Sequence, residues 1–479
     1  VSRGERLSAV DASFLVLESD RTPMHIAAVL TLDKAPFVDA AGRIRLDAIR
    51  TYVDERLHLA PRLRQVVREV PLGLHRPVWV DDQDFDLCHH IRLVELASPG
   101  GRAALDNLVE ELIMTVLDRS RPLWEWWVVD GLDDDRIAIV EKLHHALIDG
   151  VSGVQLLSAL TDLADFAPPA DGPWIPGQRP TDAQLIADAL GEQVREPWRL
   201  TAAAAHLART GRGGAQRVVE TVGALAAAIR PATGALATVS LNQPVGRRRR
   251  LRSIELSLAQ VKTIAHAHDT KVNDVVLTVV SGGLRALLQS RGESVAGHTL
   301  HALVPENVRR ADEHLALGNR VTGFFAPLPV YEADAVRSLE CIRASMRHKH
   351  QAHEDETAGG LLGTVDHAPY ALLRVLGPAV HAQPWVNTVV TNIPGPREDL
   401  TMMGARICSI TPVVPLARNL TIGVAVLSYG DVLSIALNAC RDACPDLEVM
   451  VDGMLSTLDE LSAASKPVSR RRAARPRRG

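Results

Sequence analysis

Two adjacent histidines, His144 and His145, are followed at fixed distance by Asp149 and Gly150. A neutral imidazole accepts a proton from a hydroxyl near neutral pH and returns it to a leaving group, so the pair is a candidate general base. Asp149 could orient that imidazole as a triad acid does, or pair with an arginine elsewhere and brace the loop. Taken alone the string is unspecific, because structural histidines are the commoner case. A metal site is not expected. Adjacent histidines seldom ligate one ion together, and neither an HExxH motif nor a cysteine set at zinc spacing accompanies them.

The surrounding pattern supplies elements that would position these residues. Arg136–Val140 is short, β-branched and apolar, which predicts a buried strand. After Gly150, Val151, Val154, Leu157 and Leu160 recur at helical spacing. The histidines therefore sit where a strand ends and a helix begins. An amphipathic helix is predicted from Arg102 to Leu117, through Leu105, Leu108, Leu112 and Val116. It leads through Asp118-Arg119-Ser120-Arg121-Pro122-Leu123-Trp124-Glu125 into a strand at Trp126–Val129, expected beside the strand of His144. Upstream, Ser8–Leu15 and Pro23-Met24-His25 precede an apolar strand, Ile26–Leu32. His89 and His90 lack a third ligand at useful spacing. Downstream, Lys271-Val272-Asn273-Asp274 opens a long apolar helix to Leu288, with Asn273 or Asp274 as its N-cap. A strand at Asn387–Asn392 runs into the rigid turn Ile393-Pro394-Gly395-Pro396, and strands near 405–410, 420–427 and 432–439 precede a last helix.

Composition narrows the classes. With 479 residues there is ample chain for a large core, and a formal net charge of −4 gives no basic field for nucleic acid. Five scattered cysteines fit a reduced, cytosolic setting. The first residues lack an apolar segment, so no signal peptide is expected, and no uninterrupted apolar run is long enough to span a bilayer. Residues 166–182 read as a Pro/Gly/Asp-rich linker, and Ala-rich helices from about 182 to 229 would cross between two halves. The basic cluster Arg247–Arg252 reads either as a solvated loop or as a phosphate-attracting patch. The Arg/Ala/Pro-rich tail, 466–479, is expected to be disordered, touching anionic lipid headgroups or simply solvated.

In order along the chain, these segments resemble the bacterial wax ester synthase/diacylglycerol acyltransferases of the actinobacterial triacylglycerol synthase type. The matching stretches are Leu7–Phe14, Pro23-Met24-His25, Asp118–Glu125, His144–Gly150, Val272–Leu277, Leu317–Val321 and Thr391–Pro396. The resemblance implies an α/β fold of two chloramphenicol-acetyltransferase-like halves, each a mixed sheet with helices, with a substrate tunnel between them. The corresponding division is 1–165 for the first half, 166–246 for linker and crossing helices, 247–465 for the second half and 466–479 for the tail. It further implies that His145 is the general base, with His144 and Asp149 shaping the site. Gly150, Pro122, Leu123 and Trp124 would be substrate-binding or structural positions, and Asn273 and Asp274 would approach the tunnel from the second half.

The expected function is then transfer of a long-chain acyl group from acyl-CoA, as co-substrate and without a cofactor, to the hydroxyl of diacylglycerol. No serine or cysteine lies in a nucleophile motif, so no acyl-enzyme is expected. Alternatives are a wax ester synthase acting on long-chain alcohols, a carrier-protein-dependent condensation-type acyltransferase, and a droplet-binding protein with a vestigial site. The expected location is cytoplasmic, with peripheral contact at the inner face of the plasma membrane or on lipid droplets, and no nucleic-acid partner.

Overall fold

The computed structural model describes residues 4–148, 150–162, 174–192, 239–307, 321–355, 370, 374 and 386–465. Asp149, residues 317–320, linker residues 166–173, the crossing helices beyond 192 and the tail from 466 lie outside the described residues. The first part contains β1 (Glu5–Arg6), α1 (Ala9–Leu17), β2 (His25–Asp33), α2 (Leu46–Arg56), β3 (Gln65–Arg68), β4 (Val78–Asp81), β5 (Ile91–Glu95), α3 (Arg102–Met114), β6 (Trp124–Asp130), β7 (Arg136–His144) and α4 (Gly150–Ala159). The second contains β8 (Arg249–Ser257), α5 (Leu258–Ala267), α6 (Val272–Ser290), β9 (Leu300–Asn307), β10 (Val321–Leu328), α7 (Ala335–Asp355), β11 (Thr388–Pro394), β12 (Thr401–Met402), β13 (Ala405–Val413), β14 (Ile422–Tyr429), β15 (Val432–Cys440) and α8 (Leu447–Ala464).

Two six-stranded mixed sheets result. The first runs β12-β13-β2-β7-β6-β5 and the second β10-β9-β11-β14-β15-β8. In the first, only the β5–β6 pair is parallel; in the second, β11 runs parallel to both neighbours. β7 is buried on both faces along almost its whole length, which is why it reads as a continuous apolar run rather than an alternating one. The sheets do not divide at one point of the chain. β13, from the second part, crosses to pair antiparallel with β2, Thr411 opposite Val29.

Each sheet has its own core. α6 and α8 pack together on the second sheet, so closely that a Cβ at Gly453 would lie 2.5 Å from that of Ala286. On the first sheet, Lys142 of β7 is fully buried. Its ammonium donates to the carbonyls of Leu112 and Thr115 at 3.0 and 2.7 Å, satisfying acceptors at the end of α3.

The basic cluster is only partly a solvated loop: Arg247 and Arg248 are exposed ahead of β8, whereas Arg249 is buried. Residues 249–252 begin β8, and every arginine of the cluster has a protein partner. Arg247 pairs with Asp20, Arg248 with Asp442 and Arg252 with Glu448; Arg250 donates to the Pro445 carbonyl, 2.6 Å away. Arg249 is buried and donates to the carbonyls of Gly246 and Arg21. Arg247 and Arg249 thus join the two parts, while Arg248, Arg250 and Arg252 find their partners within the second. Among the described residues no helix is long and apolar enough to cross a membrane.

Candidate active site

β7 delivers the histidine pair. It lies between β2 and β6, with His144 opposite His25 and Leu143 opposite Trp124. The strand then breaks into a turn fixed by three backbone bonds. His144 N–H donates to Leu123 O at 3.0 Å, His145 N–H to Met24 O at 2.7 Å, and Leu147 N–H to His144 O at 2.9 Å.

The two imidazoles meet different surroundings. His144 is fully buried, and its Nδ1 accepts the Ala146 N–H at 2.9 Å. In the neutral ring the proton therefore sits on Nε2, which faces Glu18 Oε1 at 3.4 Å. Burial pushes the His144 pKa down to about 4, with the Glu18 carboxylate offsetting part of that effect. His144 is neutral at working pH and its lone pair is already engaged. His145 is only partly buried, and its ring stacks on Phe14 of α1 at 4.0 Å and 9°. Of the two, only His145 keeps any exposure.

Behind the pair lies a carboxylate that the motif alone does not reveal. The Glu18 side chain is 4% exposed, and its Oε1 is 3.3 Å from His25 Nε2 as well as facing His144. Met24 N–H donates to Oε1 at 3.2 Å and Arg119 to Oε2 at 2.9 Å. Burial opposes its ionisation, but the two facing imidazoles, His144 and then His25, outweigh this and hold its pKa far below the ordinary carboxylate range. His25 is oriented from its other side by the Ile113 carbonyl, 3.2 Å from Nδ1. The sequence signal for Glu18 was slight: an acid four residues after Phe14, just upstream of Pro23-Met24-His25.

The remaining candidates separate into scaffold and site. Pro122 and Leu123 are buried where β6 begins, and Leu123 supplies the carbonyl that holds His144. Trp124 is core: its Nε1 donates to Leu63 O at 2.8 Å and its ring stacks on His90 at 4.5 Å. His90 in turn donates from Nδ1 to the Trp124 carbonyl, 2.8 Å away. Gly150 opens α4, which packs against β11. At the start of α6 the predicted pair splits. Lys271 is the N-cap, and buried Asp274 reaches back to its N–H at 3.1 Å and to Thr270 Oγ1 at 2.5 Å. Asn273 instead joins β11, its Oδ1 accepting from Asn392 Nδ2 at 3.2 Å. Asn273 thus meets the strand on which the helix after the histidines packs, whereas Asp274 holds its own helix end.

Residues 7–276 match the wax ester synthase/diacylglycerol acyltransferase catalytic domain, and residues 317–462 match the C-terminal domain of the same proteins. A Mycobacterium tuberculosis protein named a probable diacylglycerol O-acyltransferase, tgs1, is 30% identical over 487 aligned residues, covering 98% of each chain. Among solved structures, the wax ester synthase/diacylglycerol acyltransferase of Marinobacter aquaeolei superposes with a TM-score of 0.66 at 24% identity, covering 96% of this chain and 99% of that one. The trichothecene 15-O-acetyltransferase TRI3 of Fusarium sporotrichioides shares the fold at a TM-score of 0.64 and 14% identity, covering 96% and 95%. The two mixed sheets are the fold that this chain shares with both structures. The chain belongs to the wax ester synthase/diacylglycerol acyltransferase family. It is an enzyme that takes an acyl donor and an acceptor as substrates.

Proposed function

We propose that this acyltransferase moves a long-chain acyl group from acyl-CoA to the free hydroxyl of diacylglycerol, giving triacylglycerol and CoA, with His145 as general base. The observation that carries the reading is the contrast within the histidine pair. His144 is sealed, with its lone pair on Ala146 N–H, whereas His145 is partly exposed and its ring stacks on Phe14. His145 takes the acceptor hydroxyl's proton as that oxygen bonds to the thioester carbonyl carbon. The resulting tetrahedral centre then collapses, the carbon–sulfur bond breaks, and the imidazolium returns the proton to the departing sulfur. A base so placed contributes on the order of 10²–10⁴-fold, and orientation and oxyanion stabilisation supply the rest.

Asn273 is our candidate oxyanion donor. With Oδ1 accepting from Asn392, its amide nitrogen is the group that would donate. Asp149 is kept as the acid that orients the site. No covalent acyl-enzyme forms in this scheme. Diacylglycerol is favoured by the activity in the tgs1 relative's name, and a long-chain alcohol is the second acceptor because the family's name carries both activities. Both acceptors are lipids, so we place turnover at a membrane or droplet surface that the enzyme contacts peripherally. The test offers radiolabelled palmitoyl-CoA with diacylglycerol or hexadecanol in separate reactions. Triacylglycerol is expected to form faster than wax ester. Wax ester formation exceeding it would reassign the acceptor, and no product from either would overturn the reading.

A further inference from the structure

We propose that Glu18 is the positioning residue of the histidine pair, acting on His145 through His144 and through the helix that carries Phe14 and ends at Glu18. The inference rests on His145 being the base. Phe14 lies in the last turns of α1, and Glu18, four residues on, is the residue that caps its C-terminus. The Glu18 N–H closes the last turn of α1 on the Phe14 carbonyl at 3.1 Å. Neighbouring histidines project in different directions, yet this single helix end meets both. Phe14 lies flat against the His145 ring, and the Glu18 carboxylate faces His144 Nε2.

The consequences run through the turn. A carboxylate only accepts hydrogen bonds, so Glu18 requires the proton of neutral His144 on Nε2. That leaves Nδ1 as the acceptor for Ala146 N–H, which shapes the backbone on which His145 sits. The carboxylate is itself held by Met24 N–H and Arg119, and Arg119 also donates to the Leu15 carbonyl at 2.7 Å. The second part of the molecule grips the residues immediately after Glu18. Arg247 pairs with Asp20, and buried Arg249 donates to the Arg21 carbonyl. Glu18 is therefore fixed from both parts, and the register of α1 against β7 becomes the register of the base.

The test combines one variant with one measurement on the unaltered protein. Glu18→Gln keeps the shape but gives one of the facing groups a donor in place of an acceptor. Its kcat per folded molecule is expected to fall about 10²-fold, as misplacement of a reacting group does, while KM for palmitoyl-CoA stays within about twofold. A purely packing role would lower the melting temperature and leave kcat per folded molecule unchanged, and that result would overturn the proposal. In wild-type protein labelled with ¹⁵N-histidine, His144 is expected as the neutral Nε2–H tautomer at pH 7; an Nδ1–H tautomer or an imidazolium would overturn it even if the variant does not fold. His145→Ala assayed alongside separates the two ideas. Wild-type turnover in His145→Ala removes the base assignment itself, whereas loss there with full kcat in Glu18→Gln removes only the positioning role.

Discussion

Glu141 and Lys142 stand side by side on β7 and point to opposite faces of the first sheet. Lys142 finds two carbonyls and the Glu125 carboxylate, 3.2 Å away. Glu141 is buried with the Trp126 indole N–H at 3.2 Å, and burial pushes its pKa up to about 7, the indole bond offsetting part of the rise. The sign follows from linkage. A carboxyl that titrates higher in the folded protein than in the unfolded chain destabilises the fold as pH rises from the ordinary carboxylate range through 7. At pH 8 the effect is at most about 3 kcal/mol. Glu141→Gln removes the ionisation while keeping an oxygen for Trp126. The variant's melting temperature relative to wild type is expected to climb between pH 5 and pH 7 and to level off by pH 8. A pH-independent offset would show that Glu141 does not titrate as its burial implies.

Among the helices, α3 both serves the site within the first part and reaches β8 of the second. Ile113 O orients His25, and Glu110 accepts the Leu251 N–H of β8 at 2.8 Å in a buried contact. Arg102 reaches Ser253 on the same strand. Glu110→Ala would leave the buried Leu251 N–H without its acceptor and is expected to cost about 1–3 kcal/mol in urea unfolding. An unchanged midpoint would show that β8 does not depend on α3. The apolar spacing of α3 made the helix legible in sequence, as did the continuous apolar run of β7. The role of Arg247–Arg252 was not legible. A run of arginines looks the same whether its charges meet water or the carboxylates of Asp20, Asp442 and Glu448, which lie far away in sequence. Glu18 was hidden for the same reason: its partnership with His144 exists only once β2 and β7 pair.

At the scale of the whole molecule, two sheets are tied together by exchange rather than by simple apposition. β13 leaves the second part to complete the first sheet, while β8 of the second packs on α3 of the first. Strand propensity located β13 near its observed span, but its choice of β2 as neighbour is a tertiary outcome that local pattern cannot encode. The order of motifs along the chain carried the family and the two-sheet fold, because both depend on many short matches in sequence. What the motif could not supply is the basis of the proposed division of labour within the histidine pair, namely burial and the bond between His144 Nδ1 and Ala146 N–H. The most direct test of that division is the rate of triacylglycerol formation by His145→Ala against wild type, with saturating palmitoyl-CoA and diacylglycerol and with folding checked for both. General-base catalysis by His145 predicts a loss on the order of 10²–10⁴-fold in a folded variant. Turnover at the wild-type rate in folded His145→Ala would contradict it.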